Sequence, residues 1–248
     1  MQVGRSLPFV LALLALLLGA KASWAACEGV EFQGQHFTAC RFDLTKDKIG
    51  LYNLNSSGQP YGFFSTLSDE LAGQGKRLAF AMNGGMYDEG LKPIGLYIEG
   101  GKTLHKLNRR NGAGNFHLKP NGVFFVKGSS GGVLETEAYA KSGIKPDFAT
   151  QSGPMLVIDG AIHPKFSETG TSEKFRNGVG AIDASHVVFA ISDEPVGFYD
   201  FAVFFRDGLK CRNALFLDGS ISSLYAPELS RNDQFRALGP IIGVVQNQ

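Results

Sequence analysis

Asn213-Ala-Leu-Phe-Leu-Asp-Gly-Ser-Ile-Ser-Ser-Leu-Tyr225 is the stretch whose reading decides the fold. Ala214 to Leu217 form a short apolar run that breaks into Asp218-Gly219-Ser220. An apolar run of that length ended by Gly reads as a buried strand, too short for a helix. The Asp218 carboxylate then sits at the strand end, where the backbone turns. Gly219 can take a positive φ there and lets another group approach the main chain. The hydroxyls of Ser220, Ser222 and Ser223 follow at once. The plain alternative is an Asp-Gly turn that only redirects the chain.

The same grammar repeats outward from this strand. Short apolar runs at 78–82, 155–158 and 187–191 end in polar or Gly-rich turns: Asn83-Gly84-Gly85, Asp159-Gly160 and Ser192-Asp193-Glu194. Residues 30–44 and 49–54 read as the first two strands, and 241–245 as the last. Residues 94–99 with 103–107, and 122–127 with 133–139, read as hairpins around Gly-rich turns. Residues 178–182 and 187–191 are paired strand candidates. Two segments have helical character. One is 64–72, with Ser65 or Thr66 as cap and Gly73 as stop. The other is 197–209, with Phe198, Phe201, Ala202, Phe205 and Leu209 on one side. The expectation is one α+β domain, mostly antiparallel sheet with a few helices. The 32 glycines and 20 phenylalanines fit a sheet-rich fold with tight turns better than a helix bundle.

The N-terminus reads differently. Arg5 precedes an apolar run from Leu7 to Leu18, and small residues lead to Ser23-Trp24-Ala25. This is the pattern of a secretory signal peptide spanning 1–25, with the domain at 26–248. The apolar run is short for a membrane span, so the mature chain is expected to lack one and to be periplasmic or secreted. Removing Arg5 and Lys21 from the 24 basic residues leaves 22 against 23 acidic, a net charge of −1. No basic face suggests a nucleic-acid or anionic-membrane partner. Three cysteines remain, Cys27, Cys40 and Cys211. In an oxidising compartment Cys27 with Cys40 is a candidate disulfide, though other pairings are open at this level. No Cys or His spacing resembles a zinc site, so no metal or cofactor is expected, and a metal requirement stays open.

Three kinds of residue carry chemistry. Arg176, in Arg176-Asn177-Gly178-Val179-Gly180, suits phosphate or carboxylate because its fork matches two oxygens at once; the plain alternative is an exposed loop arginine. Asp218, Asp193 with Glu194, and Asp88 with Glu89 are candidate acid/base carboxylates. Strand-end turns at Asn83-Gly84-Gly85, Gln151-Ser152-Gly153 and Asp218-Gly219 would gather main-chain N–H groups if they share one side of a sheet, a surface suited to anions and sugars. There is no Gly-x-Ser-x-Gly elbow and no phosphate loop ending in Gly-Lys-Ser/Thr.

Taken in order, Ala81-Met-Asn-Gly-Gly-Met86, Asn115-Phe-His-Leu-Lys-Pro-Asn-Gly-Val-Phe-Phe125, Gln151-Ser-Gly-Pro-Met-Leu156, Arg176-Asn-Gly-Val-Gly180 and Leu217-Asp-Gly-Ser220 resemble the phosphodiester glycosidase domain family, in its short exported bacterial branch. The resemblance runs from about residue 48 to the C-terminus. It implies hydrolysis of the sugar–phosphate bond of a sugar-1-phosphodiester, with a sugar-phosphate or glycan as partner. Carried over by position, Asn83, Arg176 and Asp218 would be catalytic. Gly84, Gly85, Asn177, Gly219, Ser220, Gln151, Ser152 and Asp193 would contact substrate. Arg176 would hold the phosphodiester, Asp218 would act at the sugar, and Asn83 with the Gly84 and Gly85 N–H groups would position oxygens. Two other readings stand beside this one: a non-catalytic carbohydrate- or phosphate-binding protein, and a phosphodiesterase cutting the other ester bond. One branch of the family carries Asp-Gly-Gly-Gly-Ser where this chain has Asp218-Gly219-Ser220-Ile221-Ser222, and losing two glycines restricts ligand approach to that backbone.

Overall fold

The computed structural model describes Met1 and residues 27–219 and 221–247. The signal segment and its cleavage point, like Ser220, lie outside the described residues. The fold is α+β: three antiparallel sheets around one core. The largest has seven strands in the order Cys27–Phe32, Gln35–Asp43, His186–Ser192, Asn177–Ala181, Asn213–Asp218, Met155–Ile158 and Ala161–Ile162. The second has five: Arg231–Asn232, Leu224–Ala226, Lys76–Asn83, Ile241–Asn247 and Ile49–Tyr52. The third also has five: Lys102–His105, Tyr97–Glu99, Phe148–Ser152, Gly122–Lys127 and Ser130–Glu135.

Each sheet turns one face to a shared core and the other to a helix. In the Asn213–Asp218 strand, Leu215 and Leu217 point into the shared core beside Phe80, Phe124 and Phe189. Ala214 and Phe216 point the opposite way, into a cluster under the helix Phe198–Val203. Alternate residues of a strand face opposite sides, so a strand covered on both sides must be apolar throughout. That is why this run was legible as a buried strand. The helix Phe64–Ala72 covers the second sheet with Phe64, Leu67 and Leu71. A helix at Thr136–Ser142 covers the third through Tyr139.

Four readings need correction. Residues 30–44 are two strands, Cys27–Phe32 and Gln35–Asp43, folded at Gln33-Gly34, both with positive φ, 52° and 78°. Two consecutive positive-φ residues form the tight turn that matches strand twist. The expected strand over 133–139 ends at Glu135, whose carboxylate caps the Thr136–Ser142 helix by accepting from the Glu137 and Ala138 N–H groups. The expected helix over 197–209 is α-helical only to Val203; Phe204–Gly208 widens into a π-turn closed by Leu209 N–H donating to Phe204 O at 2.9 Å. Phe64–Ala72 matches its expected span, but Phe63 stands at its N-cap and no side chain caps it.

Cys27 and Cys40 face each other in the first hairpin and are disulfide-bonded. Cys211 is free and buried, and burial pushes its thiol up to about 12, which keeps it protonated. It packs on Gly180, where an added Cβ would stand 2.4 Å from the Cys211 sulfur and 2.9 Å from the Phe205 ring. Gly180→Ala should therefore destabilise the fold by about 1–3 kcal/mol through overpacking. A thermal melt should show the midpoint falling by roughly 2–4 °C per kcal/mol for a chain of this size.

Candidate functional site

The three sheets meet at their strand ends, and most of the residues expected at the site form the seam that joins them. Asn83 ends its strand in the second sheet, and Asn177 begins one in the first. Both are fully buried. Asn177 Nδ2 donates to Asn83 Oδ1 at 2.9 Å, and Asn83 Oδ1 also accepts from Ser223 N–H at 2.8 Å. Asn177 Oδ1 accepts from the Asp218 N–H at 3.0 Å. Ser152, in the third sheet, donates its hydroxyl to Leu217 O of the first at 2.8 Å. Gly85 N–H donates to Thr150 Oγ1 at 3.2 Å, and a Cβ there would sit 2.5 Å from the Gln151 carbonyl oxygen. Only a glycine permits that approach.

This corrects one expectation. The Gly84 and Gly85 N–H groups do not face a ligand, because Gly84 N–H donates to Pro240 O and Gly85 N–H to Thr150. Gln151 is likewise committed inside the protein. Its Oε1 accepts from Leu96 and Asn108 N–H, and its Nε2 donates to Asn108 O and Thr136 Oγ1. It fixes the start of the 108–114 loop. Asp193 accepts from Thr38 Oγ1 and pairs with Arg231, so it orients that arginine.

An open cleft of about 810 Å³ adjoins this seam, its lining including Arg176, Gly219, Ser222, Ser223, Arg231 and Arg236. Arg176 is not the exposed loop residue of the plain alternative; it is 1% exposed. Its Nε donates to Val196 O at 2.9 Å and its Nη2 to Ser172 O at 2.7 Å. Its guanidinium carbon lies 3.6 Å from the centre of the Phe198 ring, which accepts the cation on its face. Among the described residues no carboxylate pairs with it. Burial pushes its pKa down to about 10, so it remains charged at neutral pH. The Nε–Nη2 edge is closed by those carbonyls. Nη1 faces Gly219, 3.6 Å from where a Cβ would be. An anion would therefore meet Arg176 end-on, not along the Nε side.

Asp218 ends the strand that pairs with the one Arg176 leads into. Its Cα is the strand partner of Asn177, the residue after Arg176. The carboxyl residue is 9% exposed, and its carbonyl accepts from the Ser222 hydroxyl at 2.9 Å. Gly219 follows, but its φ is not in the left-handed region. Its role is space: a Cβ would strike the Phe216 ring at 2.8 Å. Tyr87 stands nearby. Its hydroxyl donates to Ala237 O at 3.1 Å, and burial first, then the charge of Asp218, pushes its phenol up. Sequence reading missed Tyr87, Asn115, Arg231 and Arg236, because only the folded chain brings Arg231 and Arg236 into the same lining as Arg176. No cluster of three or more His, Cys, Asp or Glu suited to a metal occurs among the described residues.

A stack of rings backs the site. Phe198 lies against Phe166 at 4.8 Å, and Phe166 against His163 at 4.6 Å. His163 is 1% exposed and its Nδ1 accepts from Lys165 N–H. Burial, then the charge of Lys165, pushes it down to about 4, with the Lys119 carbonyl opposing.

The fold and cleft define a class: an α+β protein with a buried cation, paired with no described carboxylate, lining an open cleft together with the glycine that follows an acidic strand end. The chain belongs to the phosphodiester glycosidase family, whose model matches residues 76–245. That membership makes it a hydrolase of glycosidase type. It is 39% identical over 179 residues to the uncharacterized protein YigE of Escherichia coli (strain K12), covering 72% of this chain and 70% of that one. Its fold is similar to the catalytic domain of zebrafish N-acetylglucosamine-1-phosphodiester alpha-N-acetylglucosaminidase, auto-inhibited by its pro-peptide. The TM-score is 0.58 at 16% identity, over 88% of this chain and 81% of that one. A hypothetical protein from Synechocystis is similar at TM-score 0.53 and 14% identity, over 88% of this chain and 61% of that one.

Two outcomes follow. Asn177→Ala removes the partner of Asn83, the Asp218 N–H and the Ser222 hydroxyl; chemical denaturation should show a loss of about 1–3 kcal/mol, the cost of stranding a buried polar group. His163 is neutral in the fold and titrates near its ordinary value when unfolded, so the unfolded chain binds the extra proton. Stability from this residue is complete above about pH 6.5 and is lost toward pH 4, by roughly 2–4 kcal/mol in all. The stability difference between wild type and His163→Gln, measured across that window, should shift by that amount toward the variant.

Proposed function

We propose that this protein hydrolyses the glycosidic bond between a sugar and the phosphate of a sugar-1-phosphodiester, in the cell envelope or on an extracellular glycoconjugate. The observation that carries this is Arg176: a buried guanidinium whose charge no described carboxylate neutralises, lining a cleft that Gly219, the residue after Asp218, also lines. A protein gains nothing in stability from burying a cation without a counter-charge; the charge is left for a ligand.

In this reading the phosphate lies against Arg176 Nη1, and the sugar's anomeric carbon faces Asp218. The C1–O bond breaks with its electron pair leaving on the phosphate oxygen, and water supplies the hydroxyl that replaces it. A phosphodiester is already an acidic leaving group, so stabilising its developing charge matters more than protonating it. The fixed guanidinium does that without reorganising. Asn83 and Asn177 act at one remove, by holding the backbone that carries Asp218. Export is supported by the basic and apolar N-terminal stretch and by the Cys27–Cys40 disulfide, a bond that persists in oxidising compartments. The mature domain would then comprise 26–248. Among the described residues no helix is long and apolar enough to cross a membrane.

The test uses the methyl phosphodiester of N-acetylglucosamine-1-phosphate in oxygen-labelled water. Label is expected in the released sugar; label in the phosphate means attack at phosphorus and overturns the reading. Tight binding without turnover leaves a binding protein. Arg176→Met should lower kcat/KM about 10²–10³-fold, as removal of one transition-state donor does. Asp218→Asn should cost a comparable ~10²–10⁴-fold.

A further inference from the structure

The cleft has lining that Arg176 leaves unused. Phe175 and Phe235 line it and are 50% and 82% exposed. Neither belongs to an apolar cluster of the fold. Each is followed by an arginine that also lines the cleft, in Phe175-Arg176 and Phe235-Arg236. Arg231, nearby, is engaged by Asp193 and Asp233. Arg236 and Lys174 have no ion-pairing carboxylate among the described residues. The cleft thus presents a buried cation, two shallow cations and two exposed aromatic faces. A phosphodiester with a small leaving group uses only the first of these.

We propose that this lining is a subsite for a nucleoside diphosphate. Arg176 takes the phosphate bonded to the sugar, Arg236 and Lys174 take the second phosphate, and the base stacks on Phe235 and Phe175. The assignment rests on the sugar-phosphate reading and narrows its substrate class to nucleotide sugars. Bases stack on aromatic side chains through their π-faces, whatever their identity. A lipid chain needs a continuous apolar track. Here the two rings share the lining with charged residues, Glu173, Lys174, Arg231, Asp233 and Arg236, as well as with Ile191, Pro195 and Ile221.

The test is calorimetric titration of the full chain with UDP, inorganic pyrophosphate and farnesyl pyrophosphate. UDP is expected to bind at least ~10-fold tighter than pyrophosphate, the order one stacked base contributes. Phe235→Ala should remove most of that advantage, and Arg236→Gln should weaken UDP and pyrophosphate together. Pyrophosphate or farnesyl pyrophosphate binding as tightly as UDP overturns the subsite, as does a UDP advantage that survives Phe175→Ala with Phe235→Ala. Binding needs no turnover, so the two readings fail separately. A UDP preference without sugar release from UDP-N-acetylglucosamine or the methyl ester overturns the reaction and keeps the subsite. Sugar release from the methyl ester with no UDP preference does the reverse.

Discussion

The Asn83–Asn177 amide pair is the contact on which the site depends. It joins the end of a strand in one sheet to the start of a strand in another, and it reaches the main chain at Asp218 and at Ser223. In a low-dielectric interior such bonds are strong, and leaving one partner unmatched is costly. The pair therefore fixes the relative position of two sheets at the point where Asp218 emerges. Ser152 and Gly85 extend the seam to the third sheet. Three sheets packed on one core could slide; three polar stitches at one end give them a single register there.

Arg176 obeys the opposite logic. Burial disfavours its charge, as its lowered pKa records. Two backbone carbonyls and the Phe198 ring hold it without neutralising it. Carbonyls offset part of the desolvation and fix the geometry, yet they carry no formal charge. A carboxylate in their place would neutralise the guanidinium. The ring stack through Phe198 and Phe166 to His163 extends this packing away from the cleft. On the proposed function, stability is yielded where a ligand's charge is to be met, a pattern expected of functional sites.

Family membership and local chemistry meet at the same place. The matched region, 76–245, begins at the strand that delivers Asn83 and ends in the strand that pairs with it. Fold similarity persists to 16% identity because the core asks only for alternating apolar faces of about the right volume. The seam demands more: an amide at 83 and at 177, and no side chain at 85.

Much of the fold was legible in the sequence. Strands buried on both faces, such as Asn213–Asp218, must be apolar throughout, and their ends are marked by Gly and Asp because backbone turns there. The Phe64–Ala72 helix showed through its terminal glycine, although the cap read at Ser65 or Thr66 is not one. The Gln33-Gly34 turn and the Thr136–Ser142 helix did not, since one hangs on two positive φ angles and the other on a carboxylate cap that resembles any surface acid. The site divides in the same way. The family resemblance of the ordered motifs marked Asn83, Gln151, Arg176, Asn177 and Asp218 as belonging together. It could not tell a residue that stitches sheets from one that faces a ligand, because both are polar residues at strand ends. Hydrogen-bond partners decide between those roles, and they come from strands distant in the chain. Only tertiary structure turned Gln151 and the Gly84–Gly85 amides inward, buried Arg176 at the cleft, and brought Phe235 and Arg236 into the same lining.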